Sequence, residues 1–134
     1  PVRAEVGPRD LKDKCVTLSE RDNLERTTVS LDNLISGINK LFKRIVENIS
    51  KKSQSELQNM IVEADTISDV KKAIRNRKIA KTSWCGDITC AEEIKDRSGG
   101  EIRGYRFDIE EKPEKPCLVC KGKAEKIIYV ARAY

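Results

Sequence analysis

Val2, Ala4 and Val6 are separated by Arg3 and Glu5, the two-residue period of a strand with one buried face. Gly7-Pro8 interrupts this alternation as a turn. Residues 15–18 predict a second strand and 27–29 a third, with Asp22-Asn23 supplying the hairpin turn between them. The period then changes. Leu31, Leu34, Ile35, Ile38, Leu41, Phe42, Ile45 and Ile49 recur at helical spacing, and Asn39, Lys40, Lys43, Arg44 and Glu47 fall on the opposite, polar side. Ser30 stands where an N-cap belongs, and Asp32 occupies the first turn, where the helix dipole favours negative charge. Leu57 and Met60 keep the register, so a single helix of about 25–30 residues is predicted, weakest near 50–53.

Beyond residue 60 the elements shorten. Residues 61–64 and 79–84 predict strands. A helix capped by Ser68 runs to about Arg77 between them and turns Val70, Ala73 and Ile74 inward. Asp87 caps a second helix to about Arg97, which Gly99-Gly100 stops. Ile102, Tyr105 and Phe107 predict another strand, 110–116 a charged loop with prolines, and 126–133 a final strand. The order is βαβαββ, the fold class α+β, and the division falls between 1–60 and 61–134.

Composition narrows the function. The 134 residues are 37% charged and 4% aromatic with a net charge of +5, which permits contact with nucleic acid without requiring it. No apolar run approaches the roughly 18 residues of a membrane span. The chain holds no histidine, so imidazole catalysis is excluded. It begins at proline with a charged stretch and no apolar leader, which reads as a piece of a longer cytoplasmic protein.

Five cysteines carry the chemistry. Cys85 and Cys90 are spaced C-x4-C, Cys117 and Cys120 C-x2-C, with a spacer of 26 residues between the pairs. Each pair sits on a tight turn able to hold one side of a tetrahedron, the arrangement Zn²⁺ takes in structural sites. Four sulfur ligands leave no position for water, so the metal is expected to be structural. The site then carries a charge of about −2, with Lys115, Lys121, Lys123 and Lys126 nearby to offset it. Two disulfides or buried free thiols are the alternatives, and an odd count in a reducing compartment favours the metal. Cys15 is left over as a free thiol. Zinc binding is worth roughly 10–16 kcal/mol in small peptides, against about 5–15 kcal/mol for the stability of a whole domain.

Several motifs in sequence resemble one family. Pro1-Val-Arg-Ala-Glu-Val-Gly-Pro-Arg-Asp10, then Trp84-Cys-Gly-Asp-Ile-Thr-Cys90 followed by Ala-Glu-Glu-Ile-Lys95, then the second cysteine pair, and finally Tyr129-Val-Ala-Arg-Ala-Tyr134 are similar to the end of class II prolyl-tRNA synthetases of the archaeal and eukaryotic type. The resemblance implies that 1–60 is the last part of an α/β anticodon-binding domain with its long connecting helix, and 61–134 a C-terminal zinc domain. The parent would ligate proline to tRNA(Pro) with ATP and Mg²⁺ on a catalytic domain absent from this segment, which alone should be inactive. Implied partners are tRNA(Pro), the parent's own catalytic domain and, for the parent, a second copy in a homodimer. Arg3, Arg9 and Asp10 match positions that contact the anticodon bases, and Tyr134 the residue whose carboxylate reaches back toward the active site. An arginine fork suits a guanine edge, and a carboxylate accepts from a base amino group. Read without the resemblance, Arg9 and Asp10 are a surface turn pair and Arg3 the outer side of a strand. The stretch 19–26 lacks the glycine frequent in the family's second hairpin, so that turn type does not carry over.

Two rival classes are a freestanding zinc-bearing RNA-binding or adaptor module and a dithiol redox protein. The redox reading is disfavoured, because Cys117 and Cys120 precede a glycine turn and not a helix. Six basic residues and no acid lie between Lys71 and Lys81; this run reads as a solvated helix face in preference to a phosphate contact. Trp84 is expected to pack over the metal turn, and Tyr105, Phe107 and Tyr129 to join the core.

Overall fold

In the computed structural model, which describes residues 1–132, the opening alternation becomes strand β1 (Val2–Glu5). Where a plain turn is expected, a short helix α1 (Pro8–Lys12) follows. Pro8 occupies its first turn, and the Asp10 carboxylate accepts the Gly7 N–H at 2.6 Å. Those are the two devices that start a helix from a proline and an N3 acid. Strands β2 (Cys15–Glu20) and β3 (Arg26–Ser30) complete an antiparallel sheet ordered β1-β2-β3. Their hairpin closes without glycine by placing Leu24 at φ 62°.

A 3-10 turn (Leu31–Asn33) leads into α2 (Leu34–Met60), 27 residues with no interruption at 50–53. Ser30 has the extended backbone of an N-cap but makes no side-chain cap bond. The chain divides into two units inside this helix, Pro1–Glu56 and Leu57–Tyr134. In the first, Val16, Leu18 and Leu41 form the core, and Leu41 and Ile45 are the buried residues of α2.

One expectation for α2 is corrected and one is extended. Leu31, Ile35, Phe42 and Ile49, half of the expected stripe, remain exposed, as does Val46, so these side chains have no covering partner among the described residues. Arg44 stays partly exposed, as its place on the polar face predicts, but its guanidinium also donates to the carboxylate of Glu20, whose side chain is fully buried. A charge taken out of water needs an opposite charge beside it, and the guanidinium supplies it from the rim.

The second unit keeps the expected order: β4 (Ile61–Glu63), α3 (Ile67–Arg75), β5 (Ile79–Trp84), α4 (Ile88–Ser98), β6 (Glu101–Gly104) and β7 (Lys126–Ala131). The sheet order is β4-β5-β7-β6. β4 and β5 are parallel through the α3 crossover, and β7 inserts antiparallel between β5 and β6. Thr66, two residues before the expected cap, starts α3 by a reciprocal exchange with Asp69. Gly99 ends α4 at φ 74°, where glycine carries no side-chain penalty.

Val70, Ala73, Ala80, Ile94, Ile128 and Val130 fill the core beneath the helices. Trp84 packs against this core, and its Nε1 donates to the Asp87 carbonyl at 3.0 Å. On the other face of the sheet, Glu63, Lys81 and Tyr129 are register partners in a row across three strands. Lys81 bridges Glu63 at 3.3 Å and Glu111 at 3.0 Å, and the Tyr129 hydroxyl donates to Glu111 at 2.8 Å. Tyr105 and Phe107, expected in the core, are exposed on the loop after β6. The final strand is described to Ala131, and the rest of its expected length, with Tyr134, lies outside the described residues.

Candidate functional site

Two local structures bring the cysteines together. Cys85 follows the last residue of β5 and Cys90 lies in the first turn of α4. Gly86 bends the chain between them at φ 90°. Asp87 caps α4 by accepting the Thr89 N–H and hydroxyl, each at 2.8 Å. The second pair forms a closed turn: Cys117 N–H donates to Gly122 O at 2.9 Å and Lys121 N–H to Cys117 O at 3.1 Å. Two further backbone bonds, Leu118 N–H to Ser83 O at 2.9 Å and Glu125 N–H to Trp84 O at 2.8 Å, tie this turn to the end of β5. Thus the strand that delivers the first pair also docks the second.

All four sulfurs lie within 4.8 Å of one another. The edge of a tetrahedron with Zn–S bonds near 2.3 Å is about 3.8 Å. The cluster is therefore of the right size for one ion, and none of the five cysteines is in a disulfide. Cys90 and Cys117 are buried, Cys85 is half-buried and Cys120 is exposed.

The electrostatics of the four sulfurs favour a cation. Burial raises the pKa of Cys117, but N–H groups of Val119, Cys120 and Cys85 directed at its sulfur more than offset this and bring it down to about 7. Burial, reinforced by hydrogen bonds with the Cys85 and Cys120 sulfurs, pushes Cys90 up to about 12. The Asp87 N–H favours a thiolate at Cys85, yet burial and the neighbouring sulfurs outweigh it and leave the pKa raised. The Cys117 thiol is thus favoured as a thiolate, while burial and the neighbouring sulfurs favour the protonated form at Cys90 and Cys85. A divalent ion bound by the sulfurs would favour the ionised form at both.

Of the four lysines expected to offset the charge, Lys115 pairs with Asp65 at 2.7 Å and Lys126 lies over the Tyr105 ring at 4.3 Å. Backbone N–H groups take part of the neutralising role that the sequence assigned to side chains.

The predicted base-reading residues lie in the first unit. Arg3 projects from β1 and pairs with Glu5 at 2.5 Å. Arg9 is exposed on α1, a helix in place of a surface turn. Asp10 is engaged locally, one oxygen on the Gly7 N–H and the other accepting from the Cys15 thiol at 3.6 Å. Burial, followed by that bond and the Asp10 charge, raises the Cys15 pKa. Cys15 thus has a partner that sequence inspection missed, since α1 was not foreseen.

Among the described residues, no helix is long and apolar enough to cross a membrane. A family model described as "Prolyl-tRNA synthetase, C-terminal" matches residues 67–134, and one described as "Anticodon binding domain" matches residues 1–41. A proline–tRNA ligase of Nanoarchaeum equitans is 31% identical over the whole chain, which covers 25% of that relative. One from Methanococcoides burtonii is 34% identical, again over the whole chain and 28% of its own length. The crystal structure of prolyl-tRNA synthetase from Cryptosporidium parvum, complexed with L-proline and AMP, superimposes on 99% of this chain and 28% of its own with a TM-score of 0.85 at 30% identity. The chain spans about a quarter of the length of the relatives it matches.

Proposed function

The chain belongs to the prolyl-tRNA synthetase C-terminal family, and from that membership we propose that it is the C-terminal part of a proline–tRNA ligase. In this reading 1–60 closes the anticodon-binding domain and 61–134 is a zinc domain. ATP, Mg²⁺ and the chemistry of proline transfer belong to the remaining three-quarters of the parent. The parent works in the reducing cytoplasm as a homodimer whose contacts lie mostly outside this segment, and Tyr134 presents its carboxylate toward the catalytic domain. The unpartnered stripe of Ile35, Phe42, Val46 and Ile49 is covered by that missing portion.

The observation that carries the reading is the convergence of Cys85, Cys90, Cys117 and Cys120 within the stretch matched by the C-terminal family model. These four would hold one Zn²⁺ with no site for water, joining the end of β5, the start of α4 and the 117–122 turn. The ion is then a fastener and not a catalyst. Arg3, Arg9 and Asp10 would face the proline anticodon, with Arg9 free to fork onto a guanine edge while Asp10 also holds α1.

Metal content decides the first half of this proposal. One zinc per chain is expected, and a strong chelator should remove it together with the native fluorescence of Trp84. Protein that holds no metal, with all four cluster thiols reactive besides Cys15 and an unchanged Trp84 signal, overturns it. For the second half, Arg9→Ala in the full-length enzyme should weaken aminoacylation by about 1–3 kcal/mol, the worth of a bidentate base contact, and spare prolyl-adenylate formation. Equal loss in both steps would make Arg9 a scaffold residue.

A further inference from the structure

Away from the cysteines, the second unit carries a groove of about 1200 Å³ between the end of α3, the end of α4 and the end of β7. Its rim holds Lys71, Arg75, Arg77, Lys78 and Arg132, and no lining residue is acidic. Among the described residues, none of these five pairs with a carboxylate. Lys78 Nζ donates to the Asn59 carbonyl at 2.5 Å and keeps its charge. The ends of α3 and α4 each contribute about half a negative charge, which leaves a concave surface with an excess of roughly four positive charges. Elsewhere in this unit Lys81, Lys95 and Lys115 each meet an acid, whereas Lys72, Lys112, Lys121 and Lys123 make no ion pair among the described residues but do not line the groove.

Arg77 sits at φ 55° just past the end of α3 and lines the groove. The floor is apolar at Met60 and Ile79, a surface on which sugars and base faces can rest.

We infer that this groove binds the phosphodiester backbone of RNA, as a second contact separate from base reading by Arg3 and Arg9. Spaced single charges around an apolar floor suit a chain of phosphates, one charge to each, without sequence preference. The inference rests on the proposed function only in that the ligand is RNA.

The test uses the full-length zinc-loaded protein and fluorescence anisotropy with two probes, a proline tRNA transcript and the same transcript with a changed anticodon. Affinity is measured across a series of KCl concentrations for wild type and for Lys71→Gln/Arg75→Gln/Arg77→Gln. Each lost phosphate contact removes ~0.7–0.9 from the slope of log affinity against log salt. The triple variant should therefore lose about 2–3 in slope and bind about ten- to a hundredfold more weakly near physiological salt, by the same factor for both transcripts. The charge-keeping variant Lys71→Arg/Arg75→Lys/Arg77→Lys should retain the wild-type slope. If the triple variant does not fold, Lys71→Gln alone should still lower the slope by ~0.7–0.9.

Unchanged slope and affinity in a folded variant overturn the inference. Unchanged RNA binding with a lowered melting temperature also overturns it, since the groove would then pack on an acidic surface of the polypeptide. A failed anticodon assignment is recognised separately: wild type would bind both transcripts equally, while the groove substitutions still flattened the salt slope.

Discussion

Among the described residues, Arg44→Met removes the only guanidinium bonded to a carboxylate with no access to water. The Glu20 side chain is 0% exposed, and Arg44 donates to both of its oxygens, through Nε at 3.1 Å and through Nη2. Methionine keeps the aliphatic stem and removes both donors. Breaking a buried ion pair costs about 3–5 kcal/mol. Arg44 is 45% exposed, so water can enter where the guanidinium lay, which lowers this figure. Protonation of Glu20 sets a second bound. From an unfolded pKa near 4.3, holding a proton at pH 7 costs about 3.7 kcal/mol. We expect Arg44→Met to lose about 2–4 kcal/mol at pH 7.

The sign of the pH dependence follows from the same protonation. A buried carboxylate left without its guanidinium favours the protonated form, so the deficit should shrink as pH falls, by at most about 1.36 kcal/mol per unit toward pH 5. Urea unfolding followed by ellipticity at 222 nm reports on α2. Fluorescence of the single tryptophan, Trp84, reports on the second unit. The ellipticity transition should shift and Glu20→Leu/Arg44→Met should recover most of the loss, because two well-packed apolar residues often replace a buried pair without penalty. A loss below about 1 kcal/mol with no dependence on pH would refute the reasoning and class the pair as a surface salt bridge.

Gly100→Ala should destabilise the second unit by about 1–3 kcal/mol, seen by Trp84 fluorescence in urea. Gly100 is buried, and an added Cβ would run into Ile74 Cδ1 and lie 3.1 Å from Val130 Cγ1. Leu24→Gly should stabilise the first unit by about 0.5–1 kcal/mol, since Leu24 is 76% exposed and sits at φ 62°; a loss of stability would mean that its side chain packs. Burial, then the hydrogen bond to Glu111, pushes the Tyr129 pKa up to about 12. Its contribution is present below the unfolded value near 10 and disappears as pH rises through the folded value, so phenolate absorbance should include a late step that Tyr129→Phe removes.

Periodicity and end signals determined most of the second unit, because each of its elements is short and locally consistent. Ile79–Trp84 alternates, Asp87 caps, Gly99 stops, and the βαβαββ order follows. Cysteine spacing announced the cluster for a similar reason: two sulfurs on one turn are neighbours by covalent geometry alone. The α1 helix escaped because five residues make no full period, although proline followed two positions later by an acid was the available signal. Only tertiary structure decided the rest. The two cysteine pairs meet because Leu118 and Glu125 bond to the end of β5, a backbone match between residues more than thirty positions apart. Arg44 pairs with Glu20 because a distant strand buries that carboxylate, which no helical wheel can reveal. The basic run between Lys71 and Lys81 is divided by the fold, with Lys81 on a face of the sheet beside Glu63 and Glu111, while Arg132 joins the remainder at the groove. Local sequence sets what each turn of chain can become. Which charges and sulfurs end as neighbours is fixed by packing, where long-range contacts compete and burial decides.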